Sequence, residues 1–317
     1  RGCSPSAFST KKVERQSIEG KTILLATLLF AGLSYAWTVK DVCTAWIRQG
    51  RLVLSLLVLS ATFLLVWERK ERILGVRPQP SSVGTPIVLA SFVLLLIGTR
   101  ATVIFLGGMT GTFLRMLSLM LFIVGIMLLL GGVRLVWSLA GPICMLFFLS
   151  PQNYFTSKFL PRHLQTFAVT LSEQVVAFFG IGVVREGHIL RVGEFSANVS
   201  EACSGIRSLL TVLPATLFLA GWRLHWISTK VVLLVMAIPV VVLGNVLRVT
   251  GTVLLGAYCG PALAEGFFHY FAGIGTFALS MAVMVVVLNI FATIEERDGI
   301  EDGDGIVQEQ RDAPPTG

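Results

Sequence analysis

The sequence has little charge for its length. Asp, Glu, Lys and Arg make up 14% of its 317 residues, whereas hydrophobic residues make up 54%. A soluble globular domain carries about 25% charged residues, which cover its surface. The mean hydropathy of +0.80 points the same way. These values exclude a soluble globule and indicate a polytopic membrane protein.

The chain also lacks the residue spacings of a metal centre or of a disulfide framework. None of its cysteines forms a CxxC pair, and none of its histidines forms an HxxxH or HExxH pair. We therefore expect no metal, no cofactor and no metalloprotease. The residues concerned are Cys3, Cys43, Cys144, Cys203 and Cys259, and His163, His188, His225 and His269.

The charge that is present is unevenly distributed. The segment 295–317 holds eight acidic and two basic residues, and its composition is typical of a disordered tail. The rest of the chain is basic, with a dense cluster at 68–72. A basic surface on an apolar chain indicates cytoplasmic loops that face membrane lipid, and we expect no nucleic-acid partner.

Apolar runs predict an all-α, polytopic transmembrane helical bundle of about eight spans. A cytoplasmic segment 1–21 precedes helices 1–5 in 22–150, and 151–294 holds an extracytoplasmic connection followed by helices 6–8. With eight spans, the basic links and the C-terminus lie in the cytoplasm. The predicted spans are 23–39, 52–67, 86–106, 113–130, 135–149, 206–222, 231–246 and 274–292.

The connection 151–200 differs from the other links in its length and its mixed polarity. Apolar residues in its first half recur at helical spacing from Leu164 to Phe179, which predicts an amphipathic helix against the membrane or the bundle. Val183-Val184 and Ile189-Leu190 then flank a polar Arg-Glu-Gly-His turn, which is a spacing compatible with a small hairpin.

One polar run stands where this connection gives way to the sixth span. It reads Glu-Ala-Cys-Ser-Gly-Ile-Arg-Ser-Leu from Glu201 to Leu209. Ser200 or Ser204 can cap the helix that begins here. A thiol near a helix N-terminus faces unpaired amide groups, which favour the thiolate. The run therefore predicts Cys203 as a nucleophile.

The alternative is that this cysteine is a buried apolar residue, as most free cysteines are. The carboxylate of Glu201 also opposes formation of a thiolate. However, Ser204, Gly205 and Arg207 would be unfavourable neighbours in an apolar helix where the cysteine served only for packing. We therefore predict that these four residues, together with Asn245, support the site or bind substrate.

Two further ionisable residues lie near span ends. Alone, Arg248 is compatible with an interfacial anchor, and His269 with a member of an aromatic belt. An ionisable group in an apolar stretch usually faces a polar cavity, because at mid-bilayer it costs at least about 2.5 to 3.5 kcal/mol. The eight-span topology places both residues on the same outer face as Cys203. Together they match cysteine-based acyl transfer, with His269 as the acid and Arg248 as the oxyanion or substrate-carboxylate partner.

These motifs resemble those of the exosortase/archaeosortase family of integral-membrane cysteine transpeptidases. The resemblance implies that Cys203 is the nucleophile, with Arg248 and His269 as its catalytic partners. It rests on Glu201-Ala202-Cys203-Ser204-Gly205-Ile206-Arg207, Asn245-x-x-Arg248 and His269-x-x-x-Gly273, in that order.

The resemblance also implies a substrate and a location. The expected partners are C-terminal sorting signals of exported proteins, often containing Pro-Glu-Pro and followed by a membrane helix. An extracellular polysaccharide or lipid is the acceptor class. The expected location is the bacterial inner membrane, with the active site facing the periplasm.

Two alternatives remain open from the sequence. A protease that only hydrolyses the signal would use the same residues. A transporter or polysaccharide-export component without covalent chemistry predicts repeated halves and polar groups at the midplane. Here the two halves differ, and the candidate polar residues lie at span ends.

Overall fold

The computed structural model describes residues 30, 32–104, 107–150, 159–199, 204–260 and 267–312. Side chains are described in these ranges except at 102–104, 107–109, 267–270 and 299–312. The N-terminal half of the described chain is helical. Its helices are α1 (32–48), α2 (Leu52–Glu68), α3 (Lys70–Leu74), α4 (Gly84–Ile104), α5 (Gly107–Gly131), α6 (Val133–Ser138) and α7 (Ala140–Phe147).

The C-terminal half adds a small sheet to four helices. An antiparallel three-stranded sheet, ordered β1-β2-β3, lies in the chain between the first two of these helices. The elements are α8 (Leu160–Phe178), β1 (Val184–Glu186), β2 (Ile189–Val192), β3 (Phe195–Asn198), α9 (Ile206–Arg223), α10 (Ile227–Cys259) and α11 (Phe267–Asp312).

The prediction of an all-α membrane protein is confirmed, whereas the count of eight spans is not. Among the described residues, four helices are long and apolar enough to cross a bilayer, and Leu52–Glu68 is a shorter apolar helix. The beginning of the predicted span 23–39 falls largely outside the described residues, and α1 continues past its predicted end to residue 48. The four long segments are Gly84–Ala101, Thr110–Gly131, Ile227–Cys259 and Phe271–Asp298.

The predicted span 135–149 is broken into α6 and α7. The break falls at Leu139, three residues before Pro142. Proline has no amide hydrogen, so the carbonyl of Ser138 loses its helical donor. Arg69 Nη1 donates to that oxygen instead, at 3.1 Å. A side chain from another helix therefore supplies the missing hydrogen bond.

The sheet packs against α8 and the end of α10. The predicted hairpin is present as β1 and β2, and β3 extends it by a strand that the sequence pattern did not predict. Val169 and Val176 of α8 share one buried cluster with Leu190 of β2 and Val253 of α10. Other apolar residues of α8 point outward, and Phe178 is 86% exposed. The helix is thus present, but its amphipathic role at a membrane stays a prediction.

Helix α10 is longer than the predicted span 231–246. Its 33 residues rise through about 50 Å, whereas the hydrocarbon core of a bilayer is about 30 Å thick. The part after Arg248 is the part that carries Val249 and Val253 into the cluster with the sheet. The ring of Phe195 of β3 also packs against Gly256. A Cβ added to Gly256 would lie 2.2 Å from that ring.

Helices α10 and α11 run antiparallel and are joined by hydrogen bonds at the start of α10. Near the start of α10, the carboxylate of Glu295 accepts hydrogen bonds from the backbone N–H groups of His225, at 2.6 Å, and Trp226, at 3.1 Å. It also accepts one from the hydroxyl of Thr229. A negative side chain from α11 therefore satisfies the exposed amide groups at the N-terminus of α10.

The last helix extends beyond its predicted boundaries. The sequence predicts a span at 274–292 and a disordered tail from 295, but α11 continues to Asp312. Extending an existing helix adds one hydrogen bond for each residue fixed, whereas starting one is costly. The apolar part of α11 therefore provides a nucleus from which the polar segment continues as helix.

Candidate active site

Only the second part of the cysteine motif falls within the described residues. Cys203 and Glu201 lie outside the described residues, whereas Ser204 and Gly205 lead directly into α9. Gly205 is the N-cap residue, with φ +82° and ψ −5°. That left-handed conformation favours glycine, because a side chain is strained there. The motif therefore reaches the helix through a turn that its glycine permits.

Ser204 does not occupy the capping position that the sequence predicts for it. It stands one residue before the N-cap, is 3% exposed, and its Oγ accepts a long hydrogen bond of 3.4 Å from the backbone N–H of Ile206. Ser200, the other predicted cap, lies outside the described residues. Arg207 is exposed on the first turn of α9.

Gly205 contacts the second motif directly. A Cβ built on Gly205 would lie 3.1 Å from both Cβ and Cγ of Asn245. That spacing is too tight for a side chain to be added without moving the amide. Asn245 itself is 5% exposed. The turn after the cysteine is therefore packed against the buried asparagine of α10.

The third motif contacts the second motif at Arg248, which lies one turn beyond Asn245 on α10. A Cβ built on Gly273 of α11 would lie 3.4 Å from Cζ and from Nη2 of Arg248. The guanidinium of this partly buried arginine therefore lies over the backbone of α11 at a glycine. A Cβ at this distance makes ordinary van der Waals contact, whereas a side chain that extends beyond Cβ would enter the space where the guanidinium now lies.

His269 lies in the first turn of α11, four residues before Gly273. Residues four apart in a helix share one face, although the side chain of His269 is not among those described. The structure thus brings together the segments that carry the three motifs. Asn245 and Arg248, one turn apart on α10, contact Gly205 on one side and Gly273 on the other.

Two buried polar side chains of α8 support this region, and the sequence pattern did not single them out. Gln165, which is 6% exposed, donates from Nε2 to the carbonyl of Val199, the last described residue before the cysteine motif. Ser172 Oγ donates to the carbonyl of Val246 at 3.3 Å. No sequence signal distinguishes such residues from the polar face of an amphipathic helix.

The approach to the motif is held by the hairpin. The backbone N–H of Val199 donates to the carbonyl of His188 at 3.0 Å. Arg185 donates from Nε to the carbonyl of Gly187 at 2.9 Å, and from Nη1 to the hydroxyl of Thr170 at 2.6 Å. Arg185 therefore ties the sheet to α8, in the segment that precedes the cysteine motif.

The described part of the chain contains no group of three His, Cys, Asp or Glu side chains that could hold a metal ion. The described side chains where the motifs meet include the partly buried guanidinium of Arg248, the buried amide of Asn245 and the buried hydroxyl of Ser204. Groups of these kinds can donate hydrogen bonds to a carbonyl oxygen or a carboxylate.

The fold and these motifs define a helical membrane protein in which Gly205 packs against Asn245 and Gly273 packs against Arg248, on the part of α10 that leads to the sheet. The chain matches the sequence profile of the transmembrane exosortases over residues 46–286. It therefore belongs to the transmembrane exosortase family, as its motifs predicted, and to a broadly transpeptidase-like class of membrane proteins. No curated protein matches it significantly, and no solved structure does.

The contact between Arg248 and Gly273 gives a matched pair of variants. From the catalytic role that the sequence predicts for Arg248, we expect Gly273→Leu to lower the predicted peptidase activity at least about tenfold. The leucine would displace the guanidinium, and a misplaced catalytic group costs on the order of 10²-fold. Gly275→Leu makes the same change two residues away, where nothing described lies within 4 Å of an added Cβ. The measurement is the rate of substrate cleavage in membranes that contain equal amounts of each variant. Equal rates for the two variants would contradict a role for the Arg248 guanidinium in its position over Gly273.

Proposed function

We propose that this protein is a membrane cysteine transpeptidase of the bacterial inner membrane. It cleaves a C-terminal sorting signal of exported proteins on the outer face and transfers the protein to an acceptor. The observation that carries the proposal is the meeting of three motifs at α10, where Gly205 contacts Asn245 and Gly273 contacts Arg248. Family membership supports a transpeptidase-like activity in general.

The chemistry begins with the thiolate of Cys203, which attacks the scissile carbonyl carbon and forms a tetrahedral intermediate. Arg248 donates hydrogen bonds to the oxyanion or orients a substrate carboxylate. His269 in its protonated form gives a proton to the departing amine as the C–N bond breaks. The products of this half-reaction are the free C-terminal signal peptide and a thioester on Cys203.

The second half-reaction releases the exported protein. An amine or hydroxyl of the acceptor attacks the thioester carbonyl, and the neutral imidazole accepts the acceptor's proton. The C–S bond breaks and the thiolate of Cys203 returns. With water in place of the acceptor, the same steps yield a free carboxylate.

The location of the site supports a substrate that is already in the bilayer. Lys230 and Arg248 are eighteen residues apart on α10, or about 27 Å along the helix, which is close to the hydrocarbon thickness of about 30 Å. If Lys230 lies at one headgroup layer, Arg248 lies near the other. A peptide bond just outside a membrane helix would then reach the site without a soluble catalytic domain.

The test of the proposal is mass spectrometry of a mature substrate's C-terminus. The protein is co-expressed with exported proteins that end in a Pro-Glu-Pro signal, a membrane helix and basic residues. Transfer predicts a shortened C-terminus that carries an acceptor adduct, and a free carboxylate would instead establish hydrolysis. Full-length substrate in cells that contain the wild-type protein would contradict cleavage of this signal class.

A further inference from the structure

Four tryptophans lie together at the end of the bundle opposite the sheet. Each stands at a helix end: Trp67 at the end of α2, Trp137 of α6, Trp222 of α9, and Trp226 just before α10. All four are exposed, from 41% for Trp226 to 65% for Trp137. Exposed tryptophans at helix ends are typical of the membrane–water interface. They mark the headgroup level at this end.

Arg69 joins the helix ends that carry three of these tryptophans. It follows Trp67 by two residues and donates to the carbonyl of Ser138 at 3.1 Å and to that of Gly221 at 2.9 Å. Both carbonyls lack their usual helical donor, because residue 142 is a proline and the N–H of His225 binds Glu295. The guanidinium is thereby held, partly buried, between α2, α6 and α9.

Two more cations face this arginine. Arg69 and Arg72 both repel the charge of Lys230, whose Nζ donates to the carbonyl of His225 at 3.3 Å. The pKa of Arg69 is lowered, first by burial and then by the charge of Arg72. Lys70 adds a further positive charge over the ring of Trp67, 4.8 Å from its centroid. The cations therefore lie between α2 and α3, on α3 and on α10.

The described acids near this cluster do not balance it. Glu295 attracts Lys230, but its oxygens accept the hydrogen bonds at the start of α10. Glu68, which is exposed, attracts Arg69. Glu71 lies 4.0 Å from Lys70, and both are largely exposed. Three acids thus stand against the four cations Arg69, Lys70, Arg72 and Lys230. Cations that repel one another at a lipid headgroup level favour an anion from outside the chain.

We propose that Arg69, Arg72 and Lys230 form a binding site for the phosphate of an anionic phospholipid, bordered by the four tryptophans. We call these three cations the basic surface. The tryptophans fix its depth, so the cations meet phosphate groups rather than acyl chains. Arginine donates a pair of hydrogen bonds to one phosphate, and lysine acts as a point charge.

Because Lys230 of the basic surface lies on α10, a lipid bound there would affect the position of this helix. Lys230 and the capping contact of Glu295 with Thr229 lie at the beginning of α10, and Arg248 lies about 27 Å further along. A lipid bound at the basic surface therefore fixes the depth of the helix that carries Asn245 and Arg248. The binding site itself does not depend on the proposed reaction.

The protein is mixed with defined lipids in detergent. Native mass spectrometry then measures which lipids the full chain retains after the detergent is removed. We expect wild-type protein to retain phosphatidylglycerol or cardiolipin in preference to phosphatidylcholine. We expect the double variant Arg72→Gln/Lys230→Gln to retain them about thirtyfold less tightly, since each basic residue near an anionic surface contributes about 1 kcal/mol. Arg69 is left intact because it also supports the fold.

The matched control removes two exposed cations from the opposite end of the bundle, Arg48→Gln/Arg100→Gln. It should retain the anionic lipids as the wild type does. Equal retention of phosphatidylglycerol and phosphatidylcholine by the wild type, or equal losses in the two double variants, would overturn the proposal. Binding of inorganic phosphate that needs the same cations, with no preference for anionic lipid, would assign the surface to free phosphate and overturn the assignment to a lipid headgroup.

Discussion

Replacing Cys203 by serine is expected to leave substrate proteins at their full, uncleaved length. A hydroxyl is a much weaker nucleophile than a thiolate at neutral pH, and loss of a nucleophile typically lowers kcat by 10⁴-fold or more. The measurement is an immunoblot of an exported protein that carries the sorting signal, with the variant present at wild-type level in the membrane. Cys203→Ala should behave in the same way.

The chain offers two controls for this result. Cys144 and Cys259 are exposed free cysteines, on α7 and at the end of α10. Cys144→Ser and Cys259→Ser should cleave the substrate at the wild-type rate. Normal processing in the Cys203→Ser variant would eliminate the covalent mechanism, whatever the controls show.

Replacing Arg248 by lysine is expected to lower kcat by about 10²- to 10³-fold, the usual effect of losing one oxyanion donor. Lysine keeps the positive charge but loses the planar guanidinium, which now lies over Gly273. The kinetic constants are measured with a peptide substrate and purified protein in lipid. The fold should survive, because the charge and most of the side-chain length are retained.

The control for Arg248 is Arg191→Lys, which makes the same change on β2. Arg191 is 52% exposed and pairs with Glu186 at 3.1 Å, so little activity should be lost. A rise in KM alone in Arg248→Lys would assign the guanidinium to binding of a substrate carboxylate. Unchanged kcat and KM would remove Arg248 from the site.

The apolar runs were sufficient to predict the helical class, because a long apolar segment has few stable conformations in lipid other than a helix. The β-hairpin was also predictable, since apolar pairs flank a polar turn that contains Gly187. The order of the three motifs indicated a shared site. Of these motifs, the structure describes the contacts of Gly205 with Asn245 and of Gly273 with Arg248.

Helix lengths and long-range contacts were not predictable in this way. The apolar pattern of α10 continues past Arg248, so the sequence does not show where the span ends. The packing of Val253 against the sheet shows that this part of the helix lies beyond the predicted span. The break at Leu139 follows from Pro142, but its repair by Arg69 joins residues 69 positions apart. A sequence read one segment at a time contains no signal for such pairs.

The proposed mechanism requires that Cys203 and His269 reach the same pocket beside Arg248. It is tested most directly by cross-linking Cys203 to a cysteine at position 269, in His269→Cys protein whose other four cysteines are serine. A short bifunctional maleimide should join the two positions, so that proteolytic fragments from α9 and α11 migrate together. Leu279→Cys in the same background, more than two turns further along α11, should not cross-link. Absence of the link between 203 and 269, with both thiols shown to react with a monofunctional maleimide, would contradict the account.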